Sequence, residues 1–139
     1  MKIFLMADNW IGLKVTEHLK NKNEEIVGLA VHPHEYQNLT NEIIEESGVG
    51  SDKVFVVSKD IEQSLIEEIV NLKPDIILVV FWRYILPESL FLIAPKGAIN
   101  FHMAYLPFNR GKNPNVWPII EGTPAKLETL ISIRSENQF

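Results

Sequence analysis

Short, continuously apolar runs alternate along this chain with stretches in which apolar residues recur every three or four positions. Lys2 to Met6 is a run of the kind a parallel strand shows when both of its faces are covered. Gly12 to Lys20 follows as a helix with Val15 and Leu19 at i, i+4 spacing. Glu25 to Val31 is a second buried strand, and Asn41 to Ser47 is a short helix around Ile43 and Ile44. Val54 to Val57 reads as a third strand. Asp60 is placed as the N-cap of a helix through Leu72, with Leu65, Ile69 and Leu72 on its buried stripe. Ile76 to Val80 is the most apolar strand, Pro87 to Ile93 a short helix, and Ala98 to Phe101 the final strand. Asn115 to Glu121 adds one or two helical turns. The pattern predicts an α/β fold, a doubly wound, mostly parallel sheet with helices on both faces. Ligands of such sheets bind beyond the carboxyl ends of the strands, where the strand order reverses.

Composition narrows the function classes. The 139 residues are 46% hydrophobic and 22% charged, enough for one globular domain. Net charge is −5 and Lys and Arg form no basic stripe, which argues against a nucleic-acid partner. There are no cysteines, so disulfides and thiolate metal sites are excluded and a cytoplasmic location is expected. No apolar run is long enough to span a membrane. The first loop, Ala7 to Gly12, lacks the G-x-G-x-x-G that brings a backbone against a pyrophosphate, and no phosphate-cradling loop with its lysine occurs elsewhere. His32 and His34 sit two apart, but without a third ligand nearby they read as two surface histidines, and no metal is expected.

Two segments carry chemistry. In Ala98-Ile99-Asn100-Phe101-His102, period-2 geometry puts Asn100 and His102 on one side of an extended strand. An amide and an imidazole can there converge on one ligand atom, the first as donor to a developing oxyanion and the second as a proton carrier. Standing alone, an N-x-H is more often a strand end with a solvent-facing histidine. The second segment, Phe81-Trp82-Arg83-Tyr84-Ile85-Leu86-Pro87, ends the most apolar strand with aromatic residues and an arginine. Trp82 and Tyr84 there could cap the sheet or wall a flat ligand.

The run N-F-H-x-x-Y-L-P-x-N-R-G-K-x-P-N-x-W, from Asn100 to Trp117, resembles the signature of the folate-dependent formyltransferases. Asn109 before Arg110-Gly111, and Pro114-Asn115 before Trp117, are most similar to the nucleotide-sugar N-formyltransferases; methionyl-tRNA formyltransferases usually carry R-G-A-A-P at that place. The segment at Phe81 resembles the family's folate-binding loop. The resemblance covers about residues 1 to 125. It implies a Rossmann-like N-terminal catalytic domain that uses 10-formyltetrahydrofolate to formylate the amine of a nucleotide-linked amino sugar, a small-molecule partner, in a possible homo-oligomer. Methionyl-tRNA or glycinamide ribonucleotide stay open as acceptors. By the same resemblance Asn100 and His102 are catalytic, and Phe81, Trp82, Arg83, Tyr84, Ile85 and Leu86 bind the folate. Tyr105, Pro107, Asn109, Arg110 and Gly111 form the substrate loop. Family members continue after G-T-P with a strand carrying a histidine and then a D-x-G-x-D-T-G turn whose aspartate is a third catalytic group. Here ungapped counting puts Leu130 and Asn137 at those places, and no D-T-G occurs. Residues 126–139 therefore read as a divergent tail of a C-terminally truncated domain. The expectation is an impaired enzyme or an inactive folate-binding fragment.

Overall fold

The computed structural model describes residues 1–102, 116, 120 and 129–133. Its elements run β1 (Lys2–Ala7), α1 (Asn9–Asn21), β2 (Glu25–Val31), α2 (Thr40–Ser47), β3 (Val54–Val56) and α3 (Gln63–Leu72). They continue with β4 (Ile76–Val80), α4 (Glu88–Phe91), β5 (Ala98–His102) and β6 (Thr129–Ile133). One sheet holds all six strands in the order β3-β2-β1-β4-β5-β6. β1 to β5 are parallel and β6 runs antiparallel to β5. The chain builds outward from β1 through β2 to β3, then crosses back to lay β4 on the other side of β1. The order thus reverses between β1 and β4, and all five parallel strands end on the same edge of the sheet.

Successive residues of β1 and β4 enter opposite cores, which is why these strands are apolar throughout. Phe4, Met6, Ile77 and Val79 pack on one face against Ile66 and Ile69 of α3 and Leu90 and Phe91 of α4. Ile3, Leu5, Ala7 and Val80 pack on the other, with Leu19 of α1 and Ile43 of α2. Gly28 in β2 is needed for closeness. A Cβ there would stand 2.6 Å from Leu72 Cδ1 and 2.9 Å from the Phe4 ring, so α3 seats on the sheet only over a bare backbone.

The structure corrects several element expectations. α1 starts at Asn9, three residues before Gly12. Asp8 is fully extended there and makes no side-chain cap, because its Oδ1 accepts the Asn38 N–H at 3.1 Å instead. α3 is capped by Glu62 and not by Asp60. Ile61 just outside that cap and Ile66 in the first turn both join the α3-side core, an apolar clasp that sets where the helix begins. Ile66 and Ile69 are its buried residues, with Leu65 and Leu72 packed at the margin. α4 is a single turn, Glu88–Phe91. β5 is not the final strand, since Thr129–Ile133, in the segment read as a divergent tail, pairs along its full length. Of the helix expected over Asn115 to Glu121 only Val116 and Ile120 are described, both with helical backbone.

Candidate functional site

β4 and β5 are neighbours in parallel register, with Val79 opposite Asn100 and Val80 opposite Phe101. The two segments singled out in the sequence therefore leave adjacent strands at the same edge. Ile99 and Phe101 belong to the α1/α2-side core, and Ala98 to the α3/α4-side core. Alternation then puts half-buried Asn100 on the α3/α4 face of the sheet. His102 closes β5, with Thr129 of β6 as its register partner. The side chain of His102, and the loop residues Tyr105, Pro107, Asn109, Arg110 and Gly111, lie outside the described residues.

The chain leaves β4 through Phe81, whose φ of 55° is left-handed, a conformation costly for a bulky side chain. Leu39 and Asn9, at φ 56° and 57°, turn the chain in the same way in the segments that follow β2 and β1. From Phe81 onward the loop alternates. Phe81, Arg83 and Ile85 are exposed, Trp82 and Tyr84 are half-buried, and Leu86 is buried. The six candidate ligand residues thus split into an inward and an outward row. Leu86 is buried in the α3/α4-side core, and partly buried Trp82 packs against it. Ile85 is 87% exposed, an unusual position for an isoleucine. Together with Leu86, Pro87, Ile61, Lys59 and Asp60 it lines an open recess of about 410 Å³ between this loop and the one before α3.

Sequence reasoning missed His32. It was expected at the surface, yet it is buried at 1% exposure while His34 is exposed. The imidazole directly follows β2 and reaches across the end of β1 to stack on the Trp82 indole, 3.9 Å between centroids and 25° between planes. Its ring also meets Tyr84 edge-on at 5.4 Å and 87°. Neither ring nitrogen of His32 has a hydrogen-bond partner among the described residues, nor does the buried Trp82 Nε1. Burial pushes the His32 pKa below its usual value; the Asp8 carboxylate opposes the shift and the Arg83 guanidinium adds to it. Arg83 itself lies 4.3 Å over the Tyr36 ring. The backbone around His32 is tied down as well, since Gln37 Nε2 donates to its carbonyl at 2.9 Å. The signal for this burial was its place, the first residue past the carboxyl end of a strand buried on both faces.

Five parallel strands with a reversed order, and two candidate ligand segments at or near the carboxyl ends of the adjacent strands β4 and β5, define an open α/β scaffold. Residues 9–129 match the formyl transferase family, and the chain belongs to it. Members of that family take the formyl group from 10-formyltetrahydrofolate. A methionyl-tRNA formyltransferase from Alkaliphilus oremlandii is 32% identical over 127 residues, covering 88% of this chain and 41% of the relative. The chain thus spans about two-fifths of the length of this relative and of two other methionyl-tRNA formyltransferases that it matches over the same share. Among solved structures, a phosphoribosylglycinamide formyltransferase from Anaplasma phagocytophilum superposes with a TM-score of 0.69 at 16% identity, covering 99% of this chain and 74% of that one. The formyltransferase PseJ from Anoxybacillus kamchatkensis, solved with a formamido sugar nucleotide and tetrahydrofolate, gives a TM-score of 0.56 at 22% identity. It covers 97% of this chain and 53% of that one. These likenesses show the fold. Among the described residues no group of three His, Cys, Asp or Glu side chains is placed to hold a metal, and no helix is long and apolar enough to cross a membrane.

Proposed function

We propose that this chain binds 10-formyltetrahydrofolate along the loop after β4 and carries the strand-end groups for formyl transfer to a primary amine, that of a nucleotide-linked amino sugar. The observation that carries the reading is the adjacency of Phe81, the residue after β4, and Asn100, two residues before the end of β5, on neighbouring parallel strands in a member of the formyl transferase family. The residues present suit a folate. Ile61, Ile85, Leu86 and Pro87 give apolar walls for a flat ring, and Lys59 gives a cation for a carboxylate tail. The folate, when bound, supplies the activated formyl carbon. Asn100 donates a hydrogen bond to the formyl oxygen as negative charge gathers there. His102 accepts the proton that the attacking amine must lose and hands it to the departing folate nitrogen as the bond between that nitrogen and the formyl carbon breaks.

The sugar acceptor is supported by the Asn109, Pro114-Asn115 and Trp117 pattern and by a net charge of −5, which disfavours a polyanion. A second reading, methionyl-tRNA, is favoured by the 32% identical relative. Hydrogen exchange with tetrahydrofolate tests the donor site: amides 81–86 should gain protection with it and not with a nicotinamide dinucleotide. Titration with dTDP-4-amino-4,6-dideoxyglucose, methionyl-tRNA and glycinamide ribonucleotide tests the acceptor. Saturable binding of the sugar nucleotide is expected, and saturation by methionyl-tRNA alone would transfer the conclusion to the second reading. Absence of tetrahydrofolate protection removes the donor site.

A further inference from the structure

The geometry points to a role for His32 that resemblance did not assign: we infer that it is a positioning residue for the loop after β4, docking Trp82 and Tyr84 in the closed arrangement that presents Phe81 and Ile85 outward. The inference deepens the donor-site reading above and rests on it for its consequence, folate affinity.

Three observations carry it. His32 joins the end of β2 to this loop by a face-to-face stack on Trp82 at 3.9 Å and an edge contact to Tyr84 at 5.4 Å, beside the Arg83–Tyr36 contact. Trp82, Tyr84 and Leu86 alternate with Phe81, Arg83 and Ile85, so fixing the inward row fixes the direction of the outward row. The contact consists of ring packing alone, because neither imidazole nitrogen and not the indole Nε1 has a partner among the described residues. Packing alone could be supplied by a phenyl ring without loss of any hydrogen bond made among the described residues. What distinguishes an imidazole at this place is that it can take up a proton.

Among the described residues, the charged and titratable groups around the ring are Asp8 from the end of β1, and Arg83 and Tyr84 of the loop itself. Burial and Arg83 oppose the imidazolium, and Asp8 favours it less than burial disfavours it. A proton on His32 therefore favours arrangements in which the ring reaches water, which means an undocked loop. The sign follows from that direction: docking is favoured at neutral pH and weakens as pH falls below the ordinary histidine value of 6.5.

The test uses the full chain, with hydrogen exchange at amides 82–86 in the absence of ligand and tetrahydrofolate affinity from pH 7.5 to 5.5. His32→Ala should speed exchange at those amides at least tenfold, leave the amides of β1 and β4 unchanged, and weaken tetrahydrofolate binding about tenfold. His32→Phe should keep both near wild type at pH 7.5 and lose the opening on the acid side that wild type shows. Unchanged loop exchange in His32→Ala overturns the inference, as does acid opening of equal size in His32→Phe and wild type. Should His32→Ala fail to fold, the His32→Phe comparison with wild type decides by itself. Loop opening as expected, with no tetrahydrofolate binding by wild type, upholds the docking role and overturns the donor-site reading instead.

Discussion

Asn100 and His32 lie on the same face of the sheet, but their surroundings hold them differently. Asn100 sits in the interior of β5, with Val79 and Ile131 as register partners on either side, so its backbone cannot shift without breaking two ladders. Removing its amide should therefore leave the fold intact while removing the donor proposed for the formyl oxygen. Asn100→Ala is expected to lower the single-turnover rate about 10²- to 10³-fold with little change in tetrahydrofolate affinity. A loss confined to affinity would instead make Asn100 a binding group. His32 has no ladder around its side chain, and its protonation carries a stability cost. Its folded pKa is depressed, so as pH falls through 6.5 the unfolded chain takes up a proton that the folded chain refuses. Stability is lost across that window and levels off below the folded pKa. The thermal midpoint of wild type should fall further than that of His32→Phe between pH 7.5 and 5.5; parallel profiles would mean the ring titrates as if exposed. The place of Asn100 was legible because period-2 spacing and the strand were both written in the local residues. The burial of His32 was signalled only by its place just past β2, because Trp82, the ring stacked on it, lies 50 residues away.

At the scale of elements, legibility followed the same division. β2 and β4 have the predicted boundaries, Glu25–Val31 and Ile76–Val80, because beyond the exposed Glu25 that opens β2 both are unbroken runs without a polar side chain, as burial on both faces demands. Ends set by contacts between distant segments were less readable. Asp8 looks like a helix cap from its neighbours, yet its carboxylate is taken by Asn38. Asp60 looks like one too, until Ile61 is drawn into the core beside Ile66. Gly28 shows the same dependence from the packing side, since nothing near it in sequence announces Leu72 above it. Gly28→Ala should force the Phe4 ring or α3 outward and lower unfolding free energy by about 1–3 kcal/mol, measured by urea denaturation. A change below about 0.5 kcal/mol would show that Leu72 swings aside freely and that α3 is loosely seated.

For the whole molecule, the decisive matter is what residues 126–139 add to the site at the end of β5. They are not idle in the fold, for Thr129–Ile133 covers β5 along its length and removes it as a sheet edge. Their residue types still differ from the resembled pattern, with Leu130 and Asn137 where a histidine and a catalytic aspartate were expected. Backbone pairing asks only for extended residues, so the strand can persist while the chemistry is lost. We propose that these 139 residues bind folate but transfer formyl slowly, since loss of one proton-handling or electrostatic group costs about 10²- to 10³-fold. The measurement is formyl transfer to dTDP-4-amino-4,6-dideoxyglucose by this chain and by a chimaera. In the chimaera the residues after Ala125 are replaced with the corresponding and following segment of a nucleotide-sugar formyltransferase. The chimaera should be faster by at least that factor, with equal tetrahydrofolate affinity in both. Equal turnover would mean that a carboxylate of the tail replaces the aspartate. Glu128 is the first to test, because it directly precedes Thr129, the register partner of His102. Glu128→Gln would then abolish the activity that the tail supports.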